Sequence, residues 1–458
     1  MNKGKILKVF IVFFMIVADM VVIKFVGSNT RDNMTVQVEM TADQVQQCQM
    51  FYMEDDRWSE ENSVIQDYKV ADTTQILSFC VPQDSEKLRL DFGKAMSDIT
   101  ITGIQVKYKS NIMKCDLGRI YETREENLIA ESIFSENKIY LKTEDNDPYI
   151  VIELEKEIYS EIDRIQKKMV ILKNIGFIIC IDLVFLLILI KFEEVVDFAY
   201  NIVVNYKLLF NLGKNDFKTK YAGSYFGIIW AFIQPLVTIL VYWFVFQVAF
   251  NGGPVDGCPY VLWLMAGLIP WFFFQDTLQS ATNSLIEYSY LVKKVVFNVR
   301  IIPLVKIISA FYVHVFFVFI LIFIYIISGY GLGIQAIQII YYSFCMVMFT
   351  IALSYLTSAM VIFFRDLGQI IGIVLQIGIW LTPIMWNYKT VSNPILKLVL
   401  QLNPMFYIVN GYRESLITKG WIWNNPNMTI YFWLLTICLM LVGCSIFNKL
   451  KIHFADVL

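Results

Sequence analysis

Long apolar runs recur along this chain, and the polar stretches between them carry their charge unevenly. About 20 apolar residues in a helix cross the hydrocarbon core of a bilayer. Runs of that order occupy 6–26, 170–190, 225–250, 260–281, 301–328, 334–364 and 428–447, with a shorter one at 370–386. Eight spans are therefore expected. Lys and Arg gather in alternate loops, which orients the spans by the positive-inside rule. Lys3, Lys5 and Lys8 open the chain. Lys191, Lys207, Lys214, Lys218 and Lys220 precede the third span, and Lys293, Lys294, Arg300 and Lys306 lie at the junction of the fourth and fifth. Arg365 sits between the sixth and seventh, with Lys449 and Lys451 after the last, whereas 251–259 and 329–333 carry no Lys or Arg. This alternation places both termini in the cytoplasm. Lys389, Lys397, Arg413 and Lys419 are the exceptions, in a long outer loop that tolerates charge.

The basic start and apolar run of the first segment resemble a signal peptide, but the run is long and no A-x-A-like site follows it. It is expected to stay as an anchor. Asp19, Asp182 and Asp276 fall inside spans, where a carboxylate is costly unless it faces another helix. A helix–helix seam is expected for all three.

Between the first two spans, residues 28–168 are polar and rich in Asp and Glu. Period-two alternation predicts strands here: Val36 and Val38; Leu88, Leu90 and Phe92; Ile99 and Ile101; Ile104, Val106 and Tyr108; Ile150, Ile152 and Leu154. The phase slips at Gly103, where a bulge is expected. Short strands with turn-rich connections read as a β-sandwich. Asp55-Asp56 and Asp145/Asp147 are the close carboxylate pairs there, and both look like turn chemistry. Trp58, Tyr52 and Tyr68 are ring candidates for sugar stacking, though core or rim positions suit each of them as well. Farther on, Val195, Phe198, Ala199, Ile202, Tyr206 and Leu209 form an apolar stripe opposite Asp197, Asn201 and Asn205. That stripe suits a helix lying in the membrane interface or against another protein surface.

Composition sharpens the picture. The chain has 458 residues, 57% hydrophobic and 17% charged, with 36 Phe, 25 Tyr and 10 Trp. The fold class is thus a polytopic α-helical membrane protein with an inserted all-β extracytoplasmic domain. A net charge of −2 averages two unlike regions, and no concentrated basic face points to nucleic acid. Eight Cys and two His are scattered without CxxC pairing, which argues against a zinc or iron site. With three Cys in the polar region (Cys48, Cys80, Cys115), one disulfide is allowed but not implied. No G-x-x-x-x-G-K-[ST] phosphate cradle occurs: Gly213-Lys214 and Gly93-Lys94 are followed by Asn215 and Ala95. The chain does not hydrolyse ATP by that route, so ATP and Mg²⁺ belong to a partner if it transports actively.

Several phrases resemble the permease subunits of ABC exporters that move O-antigen, teichoic acid and other polysaccharides. They are FKTKYAGSYFGIIWAFIQPLVTILVYWFVFQVAF (217–250), IFFRDLGQIIGIVLQIGIWLTPIMW (362–386), NPMFYIVNGYRESL (403–416) and the closing KLKIHFADVL (449–458). The resemblance covers 192–458, and LRLDFG, ITITGIQV and DPYIVIEL further resemble a jelly-roll domain of surface-glycan proteins. It implies an anchor at 1–27, a β-sandwich at 28–168, a second helix at 169–191, an interfacial helix and elbow at 192–224, and a six-helix permease core at 225–458. It also implies a homodimer with two ATP-binding cassette subunits, in a bacterial cytoplasmic membrane, exporting a lipid-linked glycan. The segment 288–303 would be the coupling element, through Leu291, Val292, Lys293, Lys294, Val295, Phe297 and Arg300. Phe297 is followed by Asn-Val-Arg where the family often has Pro-Arg-Glu. Arg365 and Asp366 would form a cytoplasmic turn, and 382–416 re-entrant or short outer helices. Trp230, Tyr242, Trp243, Trp271, Phe272 and Trp380 would line the conduit, although interface anchoring explains each one singly. Export of another lipid or drug, or a membrane glycosyltransferase or polymerase, are the competing functions; a receptor or scaffold would leave the loop pattern unexplained.

Overall fold

The computed structural model describes residues 11–24 (without 14, 17 and 21), 32–53, 57–144, 147–250, 253–294 and 298–458. Asp55, Asp56, Asp145, Val295, Phe297 and the start of the first apolar run lie outside the described residues, as does the Val195 side chain. Two compact units emerge, Gly27–Gly176 and the combination of Met1–Val26 with Phe177–Leu458.

The first unit is an antiparallel two-sheet sandwich. One sheet has the order β4 (Gln75–Pro82), β1 (Asn33–Ala42), β6 (Asp98–Tyr108), β10 (Lys138–Thr143), β9 (Ile129–Ser135), with β7 (Asn111–Lys114) added to β6. The other runs β3 (Ser63–Tyr68), β2 (Gln46–Tyr52), β5 (Lys87–Asp91), β11 (Tyr149–Glu153), β8 (Glu125–Asn127). The alternating apolar residues meet in one core: Val36, Val38, Leu88, Leu90, Ile101, Ile150 and Ile152 are all buried. The slip at Gly103 is a bulge, since Glu39 pairs with Gly103 while Met40 pairs with Ile101. Tyr68 is a core residue, not a sugar platform. Its hydroxyl donates to the Thr73 carbonyl at 2.6 Å and accepts from the Ala42 amide at 3.0 Å. Tyr52 and Trp58 are half-buried, and every cysteine of the chain is a free thiol. After a short helix, α1 (Leu117–Thr123), the strands give way to α2 (Lys156–Ile190). This helix begins well before the apolar run expected at 169. Ile158 and Ile162, one turn apart, pack into the β core and hold a polar segment helical.

The described helices long and apolar enough to cross a membrane are Lys156–Ile190, Gly227–Ala249, Tyr260–Glu287, Val299–Ile327, Ile334–Val361 and Pro426–Val457, of which the first runs from one unit into the other. Their α-helical portions are α2, α5 (Trp230–Trp243), α6 (Tyr260–Glu287), α7 (Ile302–Ile327), α8 (Gln338–Val361) and α12 (Pro426–Leu450). The shorter α9 (Leu367–Leu381) matches the short seventh run, and the described residues of the first run are helical, with Val22 buried against Ile181. The central element is α6. Its first half, residues 260–274, is apolar all round, and the helix is buried on most of its length and packs on α7, α8 and α9. Close crossings use glycine: a Cβ at Gly443 of α12 would sit 2.9 Å from the Ala352 carbonyl oxygen of α8.

Three expectations change. The stripe at 192–215 is not one helix but two, α3 (Phe192–Val204) and α4 (Tyr206–Thr219), broken at Asn205. Its polar side is engaged by another segment: Asp197, itself exposed, pairs with Arg300, and Asn201 accepts from Asn298 at 2.7 Å. Phe198, Ile202 and Leu209 pack on the core, leaving Tyr200, Val203, Tyr206 and Phe210 outward. Finally, the loop after α9 holds α10 (Pro394–Gln401) and α11 (Pro404–Arg413), and α11 is buried against α6 and α8. Arg413 is therefore no loop charge. It is 6% exposed, its guanidinium lies 3.4 Å from the Trp263 ring centroid, and it donates to the Pro383 and Ile384 carbonyls at 2.6 and 2.5 Å. Of the span carboxylates, Asp276 is paired with Lys220. Asp19 and Asp182 do lie at a helix–helix seam, beside the Val22–Ile181 contact, but each keeps a buried Oδ1 without a hydrogen bond.

Candidate functional site

A cleft of about 670 Å³ opens among α5, α6, α7 and α9. Each helix contributes polar side chains to it. From α5 come Gln234 and Thr238, from α6 Gln275, Asp276 and Gln279, from α7 His314, and from α9 Gln376. Spacing explains the placement: Gln234 and Thr238, like Gln275 and Gln279, are four residues apart and so share a helix face. Between these amides stand the rings of Tyr242, Phe272, Phe273 and Trp380.

The amides are held in place by neighbours. Trp271 donates from its indole nitrogen to Gln275 Oε1 at 3.0 Å, and Gln279 donates to the Gly368 carbonyl at 3.1 Å. Gln279 Oε1 is buried without a partner. His314 is 3% exposed, and its Nε2 lies 3.3 Å from Ser343 Oγ and 3.2 Å from the Tyr412 hydroxyl. Its Nδ1 has no hydrogen-bond partner.

A charged vestibule of about 350 Å³ adjoins one end of the cleft, sharing Lys220, Asp276 and Ala310 with it. Lys220 Nζ meets both carboxylate oxygens of Asp276 at 2.7 and 2.9 Å. Lys306 bridges Asp216 at 2.8 Å and Glu287 at 2.7 Å, and the Tyr288 hydroxyl donates to Asp216 at 2.6 Å. Burial pulls the Lys220 ammonium down, but the Asp276 carboxylate outweighs it and leaves the group above its ordinary range.

Residues 207–417 match the family model described as ABC-2 type transporter. Those residues are an ABC-2 type transporter domain. The chain is also similar to two O-antigen export system permease proteins RfbA of Klebsiella pneumoniae, at 29% identity over 57% of this chain and 98% of the relative, and at 28% over 57% and 99%. A third similar protein is the O-antigen export system permease protein RfbA of Myxococcus xanthus, at 24% over 54% of this chain and 94% of the relative. An ABC-2 domain works with an ATP-binding partner, consistent with a chain in which no phosphate cradle occurs.

Within the ABC-2 domain the six sequence-selected aromatics part company. Tyr242, Phe272 and Trp380 line the cleft. Trp271 is buried behind it, with Gly378 giving its ring room: a Cβ there would lie 2.8 Å from Cη2. Trp230 is exposed and Trp243 half-buried, and neither lines the cleft. Sequence reasoning overlooked the glutamines and His314. Amides recurring within apolar spans were the available signal, because an uncharged polar group in a span also needs a partner.

The segment 288–303 forms a single helical turn, Ser289–Val292, then a 3₁₀ turn, Val299–Ile301. A longer surface helix is not seen in its described residues. Val292 is 6% exposed and Leu291 packs on the membrane core, so these two residues face inward. Lys293, Lys294 and Tyr290 are exposed. Arg300 is engaged with Asp197 and Asn448. Arg365 and Asp366 form an exposed turn leading into α9.

Proposed function

We propose that this chain is the transmembrane subunit of an ATP-driven exporter that moves a lipid-linked polysaccharide across the cytoplasmic membrane of a bacterium. Two copies act with two ATP-binding cassette subunits, the termini and vestibule face the cytoplasm, and the β-sandwich lies outside. The observation that carries this reading is the cleft, where Tyr242, Phe272 and Trp380 stand among the amides of Gln234, Gln275, Gln279 and Gln376 inside an ABC-2 domain. Ring faces suit the apolar faces of sugars, and amides donate to and accept from hydroxyls. The similarity to O-antigen export permeases supports the same substrate class. ATP-driven movement of the partner acts through 288–303 and α7, opening the cleft toward its second copy, while Mg²⁺ and ATP stay on the partner.

Deleting the chain in its host decides between export and synthesis. Export predicts loss of surface glycan together with accumulation of lipid-linked polysaccharide inside the cell. Loss at the surface without internal accumulation would transfer the reading to a glycosyltransferase or polymerase.

A further inference from the structure

We infer that the cleft selects uncharged sugar residues and excludes acidic ones, an inference that rests on the exporter reading and narrows its substrate. Among the described lining residues the only Lys or Arg is Lys220, and both of its short contacts go to Asp276. The deeper wall is uncharged: glutamine amides, Thr238, the His314 ring and aromatic faces. The polar side chains that reach its surface are Gln234 and Gln376, which are exposed, and Gln275 and Thr238, which are half-buried.

Such groups match the hydroxyls of a neutral sugar, each of which both donates and accepts. A sugar carboxylate brought to the same depth would lose its hydration without meeting an uncommitted cation. The vestibule adds to this exclusion. Among its lining residues Asp216, Asp276 and Glu287 face Lys220 and Lys306, so both ammonium groups are already committed to carboxylates and neither is left for an acidic sugar.

The test uses the full chain in nanodiscs of zwitterionic lipid and two fluorescein-labelled hexamers, maltohexaose and hexagalacturonate, followed by anisotropy at fixed ionic strength. The neutral hexamer is expected to bind at least tenfold more tightly than the acidic one. Gln376 is exposed in the cleft, so Gln376→Lys adds a cation without disturbing packing. That variant is expected to shift the ratio of the two affinities at least tenfold toward the acidic hexamer. Equal or tighter binding of hexagalacturonate to the natural protein overturns the inference while leaving the exporter reading intact. So does a ratio that Gln376→Lys leaves unchanged, since the sugar would then sit elsewhere. Failure of both hexamers to bind also overturns it, and the exporter reading is then judged by whether the deletion strain accumulates glycan.

Discussion

At the scale of single residues, Arg413 shows how a charge in an apolar setting becomes structural. Its guanidinium forks onto the Pro383 and Ile384 carbonyls and reaches the Trp263 carbonyl at 3.4 Å, while its plane lies over the Trp263 ring. Those carbonyls belong to a broken segment and to α6, so one side chain ties α11 to both. Gly267 makes the approach feasible, because a Cβ there would lie 2.8 Å from Nη2. Arg413→Met leaves buried acceptors unpaired at about 1–3 kcal/mol each. Arg413→Lys restores charge but not the planar fork. Both variants are expected to melt well below the natural protein in detergent-solubilised thermal unfolding, with Lys recovering little. A Lys variant as stable as the natural protein would show that charge alone suffices. In the sequence this residue looked like one more tolerated loop charge, since nothing local to position 413 reveals that α11 is buried.

At the scale of elements, α4 is fastened to the bundle by the vestibule network rather than by apolar contact alone. Asp216 is buried on α4 and receives bonds from Lys306 of α7 and from Tyr288 at the end of α6. Burial pushes its carboxyl upward, but the Lys306 and Tyr288 bonds outweigh it and hold the group below the usual carboxylate range. A carboxyl depressed in the folded state adds stability above its unfolded pKa of about 3.9, and that stability is lost as pH falls through the folded value. The natural protein is therefore expected to melt higher than Asp216→Asn at pH 7, and the two melting temperatures should converge as pH drops below about 4. Parallel curves across that range would remove Asp216 from the account. Span positions and the alternating strands were legible because each follows a local period of 3.6 or 2. The break at Asn205, the early start of α2 and the pairing of Asp197 with Arg300 were not, since each depends on residues distant in sequence.

At the scale of the whole molecule, the proposed coupling through α7 requires the ATP-binding partner to seat close to that helix. The segment 288–303 leads into α7, and among its described residues Tyr290, Lys293 and Lys294 are exposed and able to meet another surface. Leu291 and Val292 pack inward instead, so Asp at either position would damage the fold and say nothing about docking. The apolar periodicity of this loop was visible in the sequence, but which members face the core was not, because loop and core surfaces are equally apolar there. Charge reversal separates the two roles. Lys293→Glu with Lys294→Glu changes exposed side chains alone, so a melting temperature close to that of the natural protein is expected, as for most surface substitutions. Co-purification with the ATP-binding subunit is expected to fall sharply in the double variant, and more so at low salt, where charge repulsion across an interface is least screened. If the double variant retains its partner at every salt concentration, the two lysines are solvated charges and docking runs through other surfaces of the ABC-2 domain.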